Sequence, residues 1–395
     1  MTPDAELPVW EREDAFPEAG PGWGWVDRRG RRVPCNSFEE LSEAIVSDAG
    51  ARVDLVWTPA AKGFVLPEEI PELFPAMREA RIRWARWDIQ EGKRQMLVFG
   101  AAFLILALFH FLRGEELIKM GSLGLALILF LILGFFPYYR GLKRLSRAKR
   151  WAAEQMVDDG RVLRFETWLS IQKAPLTRLM LGLLALAGLV QAGVELHDPK
   201  PFSVLSGTIP AAGLTKLGGH AENWWRLLTA PFLHGHWIHW LMNASALAYL
   251  GKRVEVFARW PHLAMTYVLA AWIGGEASAR FTEKLSVGAS GGLMGLLGFL
   301  LVFESLHRRL VPESARKRLL AGVLLTAALG FVFRHIIDNG AHAGGLVAGM
   351  IYAALVFPKS ASPHRPRTTM ADLILGGAAI GLIVFSAALA CVKML

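Results

Sequence analysis

A hydroxyl and an imidazole stand in this chain where polar side chains are costly. Ser290 lies in Gly288-Ala289-Ser290-Gly291-Gly292 and His342 in Gly340-Ala341-His342-Ala343-Gly344-Gly345. Each opens an apolar run long enough to cross or nearly cross a bilayer, and an ionisable group in such a run marks a functional site by default. A serine beside a histidine is the smallest nucleophile and base that can attack a carbonyl. The pair therefore points to hydrolysis inside a membrane. A structural histidine hydrogen-bonded to a serine is the other reading open to the two residues alone.

The neighbours of each residue sharpen the choice. Ser290 completes a G-x-S-x-G match, but the nucleophile elbow of that pattern needs a strand before the serine and a helix after it. Here an apolar spanning segment, Leu293 to Phe303, follows, so the elbow fails on context. The glycines serve contact instead: Gly291, Gly295 and Gly298 recur at helical spacing and form the small-residue face on which membrane helices pack. His342, Gly345 and Gly349 follow i, i+3, i+7 spacing on one stripe of their own helix. A stripe that packs against the Ser290 helix carries the imidazole to the hydroxyl.

A third cluster runs from Trp225-Arg226 through His234, His236 and His239 to Asn243. His239 and Asn243 are one turn apart on one helix face, and with the Ser290 backbone N–H they supply donors for the oxyanion of a tetrahedral intermediate. The rival reading is a metal site from His234, His236 and His239, but neither an HExxH pattern nor a nearby ligating carboxylate accompanies them. No metal or organic cofactor is required. Asp338, four residues before His342, is expected to cap the helix or hold a loop rather than to act as a triad acid.

The elements that must position these residues are membrane helices. Of 395 residues 53% are hydrophobic and 19% charged, with positive mean hydropathy, which argues against a soluble multidomain enzyme. Nine candidate spans emerge, over 96 to 112, 118 to 138, 178 to 197, 236 to 251, 262 to 279, 288 to 305, 319 to 337, 341 to 357 and 372 to 392. The net charge of +9 gathers in alternate loops, before the first span and after the second, fourth, sixth and eighth. That is the positive-inside pattern rather than a nucleic-acid surface. It places the N-terminus in the cytoplasm and the ends of the helices bearing Ser290, His342 and His239 toward the other side. Cys35 and Cys391 lie too far apart to form a disulfide framework, and no cleavable signal peptide is visible.

Residues 1 to 90 read as a small α/β cytoplasmic domain. A turn is expected at Arg28-Arg29-Gly30, a capping box at Ser37-Phe38-Glu39-Glu40, a helix to about Ser47, and a strand from Arg52 to Trp57. The order of Trp25, Pro34, Phe38, Leu41 and Leu55-Val56-Trp57 weakly resembles small GYF-like modules; an interaction domain of no assigned type is the alternative. A two-span hairpin occupies 95 to 139. A basic, partly amphipathic linker follows over 140 to 177, where a surface helix lying on anionic headgroups is expected.

Taken together, Trp225-Arg226, His234, His239, Asn243, Gly288-Ala289-Ser290-Gly291 and Ala341-His342 with Gly345 and Gly349 resemble the rhomboid family of intramembrane serine proteases, in the family's order. The resemblance covers residues 178 to about 357. It implies an all-α polytopic membrane protein with a six-helix core over 178 to 358, to which this chain adds the N-terminal hairpin and a C-terminal span within 370 to 395. It further implies a Ser290/His342 dyad without a third acid, an oxyanion hole of His239, Asn243 and the Ser290 amide, and a water-filled cavity opening away from the cytoplasm. Substrates would be transmembrane proteins in the lipid bilayer, not nucleic acid, and the expected setting is a bacterial inner membrane. Met294 stands where the family often has an aromatic against the catalytic histidine, and is expected to give a softer contact. The alternative is a catalytically inactive relative that binds and escorts membrane proteins.

Overall fold

The computed structural model describes residues 7–27, 30–47, 53–114, 123, 126–127, 129–196, 207–216, 223–283, 285–332 and 337–395. The chain divides into two compact units, residues 13–167 and residues 168–395 together with 1–12. Arg28 and Arg29 of the expected turn, Arg52, most of 118 to 128, and the end of the expected span at 333–336 lie outside the described residues.

In the first unit three short strands, β1 (Trp23–Asp27), β2 (Arg32–Cys35) and β3 (Val53–Trp57), form an antiparallel sheet in the order β2-β1-β3. Trp25 is the central rung, paired with Val33 on one side and Val56 on the other. Helix α1 (Phe38–Val46) starts at Ser37, whose Oγ accepts from the Glu40 N–H at 3.2 Å. The reciprocal half of the expected capping box is displaced by one residue, because the Glu40 carboxylate accepts from the Asn36 N–H at 2.7 Å. Trp25, Leu41, Ile45 and Val56 pack on Leu73, Met77, Trp151 and Met156 to make this unit's core.

Helix α2 (Phe74–Leu112) runs 39 residues without a break. Its first half packs in that core, whereas its second half presents Leu97, Leu104 and Phe111 at 68–76% exposure, a surface suited to lipid rather than water. Helix α3 (Phe136–Arg150) lies against α2 by way of small residues: a Cβ on Gly92 would meet the Tyr138 backbone at 2.6 Å. The turn entering α3, Phe130–Phe135, is π-helical and ends just before Pro137. The segment read as a linker is thus helical throughout most of its length. Helix α4 (Ala153–Ile171) follows and buries Met156 and Phe165.

The second unit holds α5 (Pro175–Glu195), short α6 (Thr208–Ala212) and α7 (Arg226–Thr229), long α8 (Trp237–Phe281), α9 (Ser290–Leu306), α10 (Glu313–Val332), α11 (Asn339–Val356) and α12 (Met370–Met394). The spans expected over 236 to 251 and 262 to 279 are the two helices that make up α8, which meet at a break at Arg259. Arg259 takes φ 72° and ψ 163° there, and Pro261 follows. The Val256 carbonyl released by the kink is taken up by Arg365 Nη1 at 2.9 Å. Below it, Arg253 and Glu304 form a fully buried ion pair at 2.5 and 2.9 Å. Glu255 accepts from the Leu176 and Thr177 N–H groups at 2.9 and 2.8 Å, capping α5 from a neighbouring helix.

Among the described residues four helices, within 71–112, 175–195, 339–356 and 370–394, are long and apolar enough to cross a membrane, and α9 is a shorter apolar helix. This is a multi-pass membrane protein with a mostly helical fold and a small sheet near its N-terminus.

Candidate active site

Ser290 is the first residue of α9, with Ala289 before it as cap. The opening N–H groups of a helix have no intrahelical acceptor, so the Ser290 amide is free of the ladder and carries the positive end of the helix dipole. The approach to it is fixed by Gly288, which has φ +112° and donates its N–H to the Ala230 carbonyl at 2.9 Å. That φ favours glycine. Space demands it too, since a Cβ on Gly288 would lie 2.6 Å from His239 Cε1, 2.9 Å from His239 Nε2 and 3.2 Å from Asn243 Nδ2. The serine turn therefore rests directly on the two side chains that the sequence offers as oxyanion donors.

His239 and Asn243 occupy the first two turns of α8, whose N-cap is His236, with Nδ1 accepting from the Ile238 N–H at 3.2 Å. Asn243 Nδ2 lies 2.9 Å from His234 Nε2, and the His234 ring meets His239 edge-on at 5.0 Å between centroids. An amide nitrogen has two hydrogens; one toward His234 leaves the other for the Gly288 side. His234 thus holds Asn243 and His239 in place from behind.

His342 lies in the first turn of α11, and its N–H donates to the Asp338 carbonyl at 3.1 Å. The α9 and α11 backbones touch along the glycine stripes: a Cβ on Gly345 would fall 2.0 Å from the Gly291 oxygen, and one on Gly349 would fall 1.9 Å from the Gly295 oxygen. The stripes named from the sequence are the ones in contact, and they bring the first turns of the two helices to one level. Among the described residues no hydrogen bond joins Ser290 Oγ to the His342 ring. Met294, one turn below Ser290, is buried. A small open cleft is lined by Gly288, Gly291 and Ala341 together with Leu214, Leu227 and Pro231.

Trp225 and Arg226 open α7, whose next residue, Leu227, lines this cleft. Arg226 Nη1 donates to the Pro210 and Gly213 carbonyls at 2.8 Å each, and its guanidinium lies 4.6 Å over the Trp225 ring. These contacts tie the start of α7 to the end of α6, and Lys393 of α12 lies 4.8 Å from the Trp225 ring.

Residues outside the expected set complete the arrangement. Gln191 clasps His234 by its backbone, donating to its carbonyl at 2.8 Å and accepting from its N–H at 3.0 Å. Glu195 accepts from Gln191 at 2.8 Å and from the Thr208 hydroxyl. Gln191 and Glu195 sit one turn apart near the end of an apolar span, and a buried polar pair on one helix face was the available signal. Asp338, which the sequence already offers as a cap, caps α11 by accepting from the Ala341 N–H at 3.0 Å.

A rhomboid-domain family model matches residues 221–359. The rhomboid protease GluP of Bacillus subtilis is 31% identical over 162 residues, covering 41% of this chain and 32% of its own. RHOMBOID-like protein 5 of Arabidopsis thaliana is 35% identical over 132 residues, covering 32% of this chain and 41% of its own. RHOMBOID-like protein 7 of the same plant is 32% identical over 138 residues, with 35% and 44% covered. The chain thus spans less than half the length of each of these relatives. The serine turn, the α8 donors and the His342 helix all fall inside residues 221–359, the stretch that is similar to the rhomboid domain.

Proposed function

We propose that this protein is an intramembrane serine endopeptidase of rhomboid type, cleaving transmembrane segments of membrane-protein substrates. The observation that carries the reading is the seating of the Gly288 turn on His239 and Asn243, directly before a serine that opens a helix. Donors aimed at one spot beside a nucleophile are what acyl transfer requires, and a merely packed serine needs none of them.

In this mechanism His342 takes the Ser290 Oγ proton as the hydroxyl attacks the scissile carbonyl. The oxyanion is met by the His239 and Asn243 side chains and the Ser290 N–H. His342 then gives its proton to the leaving amine, and a water activated by the same imidazole releases the acyl group. A helix in lipid offers no extended bond to attack. The substrate segment must therefore unwind at its end before entering the cleft, which small or helix-breaking residues there make easier. The glycine contacts between α9 and α11 hold nucleophile and base at one depth while the substrate bends.

The same reading places the N-terminus and basic loops in the cytoplasm of a bacterial cell and the cleft at the opposite face of its inner membrane. Fluorophosphonate labelling of the full chain in detergent tests the nucleophile. Labelling of the wild type, lost in Ser290→Ala and strongly reduced in His342→Ala, supports the dyad. An unlabelled wild type would favour a relative that binds and escorts membrane proteins without cutting them.

A further inference from the structure

Asp338 makes more contacts than a helix cap needs. Its Oδ1 accepts from the Ala341 N–H at 3.0 Å, which is the capping bond. Its Oδ2 accepts two hydroxyls, from Ser278 and from Ser286. Ser278 is fully buried near the end of α8, whereas Ser286 lies in the serine turn, two residues before Gly288. Lys216 lies 4.0 Å from the same carboxylate oxygen and donates to Thr282 Oγ1 at 2.7 Å, and Thr282 in turn donates to the Ser278 carbonyl at 3.0 Å. The backbone continues the connection: Leu214 and Ser286 exchange both of their backbone hydrogen bonds, at 2.9 and 3.1 Å. One carboxylate thus gathers the start of the His342 helix, the end of α8, the serine turn and the loop that walls the cleft.

We infer that Asp338 is a positioning residue that sets the register between the serine turn and the His342 helix, an assignment that rests on the proposed protease reading. A cap alone uses one oxygen, and a serine or asparagine supplies it equally well. The second oxygen, accepting two hydroxyls at once, is a task that only an ionised carboxylate performs among side chains of this size, because an amide nitrogen donates and a hydroxyl has a single oxygen. Losing it leaves α11 capped but unties the serine turn from it. A misplacement of about 1 Å between reacting groups costs a rate on the order of a hundredfold.

The test compares wild type, Asp338→Asn and Asp338→Ser as full-length protein in liposomes. It measures cleavage of a single-span model substrate, the second-order rate of fluorophosphonate labelling, and hydrogen exchange. The expected result is a fall in kcat and in labelling rate of about tenfold to a hundredfold with KM little changed, together with faster exchange in 285–288 and 214–216. Exchange in the first turn of α11 stays near wild type, because both variants keep the cap. Labelling and cleavage at wild-type rates in both variants, or faster exchange confined to 339–342, would reduce Asp338 to a helix cap and overturn the inference. A wild type that neither cleaves nor labels would instead count against the protease reading; the exchange pattern then still decides whether Asp338 ties the two segments together.

Discussion

The Gly345 Cα faces the Gly291 carbonyl so closely that a methyl group added there would lie 2.0 Å from that oxygen. No neighbouring side chain can swing aside to relieve this contact, because the obstacle is backbone. Gly345→Ala must push α11 away from α9, and overpacking of this kind typically costs about 1–3 kcal/mol. Thermal unfolding in detergent should show the lower midpoint, and labelling of Ser290 should slow, since the displacement separates the helices bearing Ser290 and His342. An alanine variant with wild-type stability and labelling would show that the two backbones are not in contact in the protein.

Gly288→Ala should act more locally. Its φ of +112° is strained for a residue with a side chain, and the new Cβ would collide with the His239 ring. The left-handed conformation alone costs about 1–2 kcal/mol. The larger effect is expected on kcat, because His239 and Asn243 must shift from the turn they support; steady-state cleavage should show kcat falling far more than KM rises.

Gln191→Leu removes both hydrogen bonds to the His234 backbone. Each unpaired buried group costs about 1–3 kcal/mol, so the unfolding midpoint should fall. Labelling should fall with it, since His234 backs Asn243. Loss of stability with full labelling of the folded fraction would separate the Gln191 clasp from the site.

The Arg253–Glu304 pair should behave differently. It lies fourteen residues along α9 from Ser290, roughly 21 Å at 1.5 Å per residue. Glu304→Leu alone leaves a buried guanidinium uncompensated, at about 3–5 kcal/mol. Arg253→Met with Glu304→Leu should recover most of that loss and label like wild type. Poor labelling of a stable double variant would show that the pair influences the site.

Acid should weaken the hold of Asp338. Burial pushes its carboxyl upward, but the Ser278 and Ser286 hydroxyls, the Ala341 N–H and Lys216 outweigh it and hold the group below its ordinary 3.8. A group whose folded value is depressed stabilises the fold above its unfolded value and loses that contribution as the pH falls through the folded value. The stability advantage of wild type over Asp338→Asn should therefore be constant at neutral pH and vanish as pH falls below about 3.8. Unfolding midpoints taken across that range check it.

The contact between the glycine stripes was legible because small residues recur in apolar segments at a spacing that only a helix makes meaningful. The kink at Arg259 was not. Pro261 hints at it, but the Arg365 hydrogen bond to the Val256 carbonyl comes from more than a hundred residues away. The Asp338 cluster was half legible: the cap is local and follows from position, whereas Ser278, Ser286 and Lys216 look like ordinary loop residues until the fold brings four segments together. A helix within residues 140 to 177 was legible from their partly amphipathic pattern, whereas the burial of Met156 and Phe165 was not.

The most direct test of the account is cleavage of a single-span model substrate by the purified full chain in liposomes, alongside Ser290→Ala and His342→Ala, with a chelator present throughout. Cleavage by the wild type and by neither variant is the predicted result. Cleavage that persists in either variant, or that the chelator abolishes, would contradict a Ser290/His342 dyad.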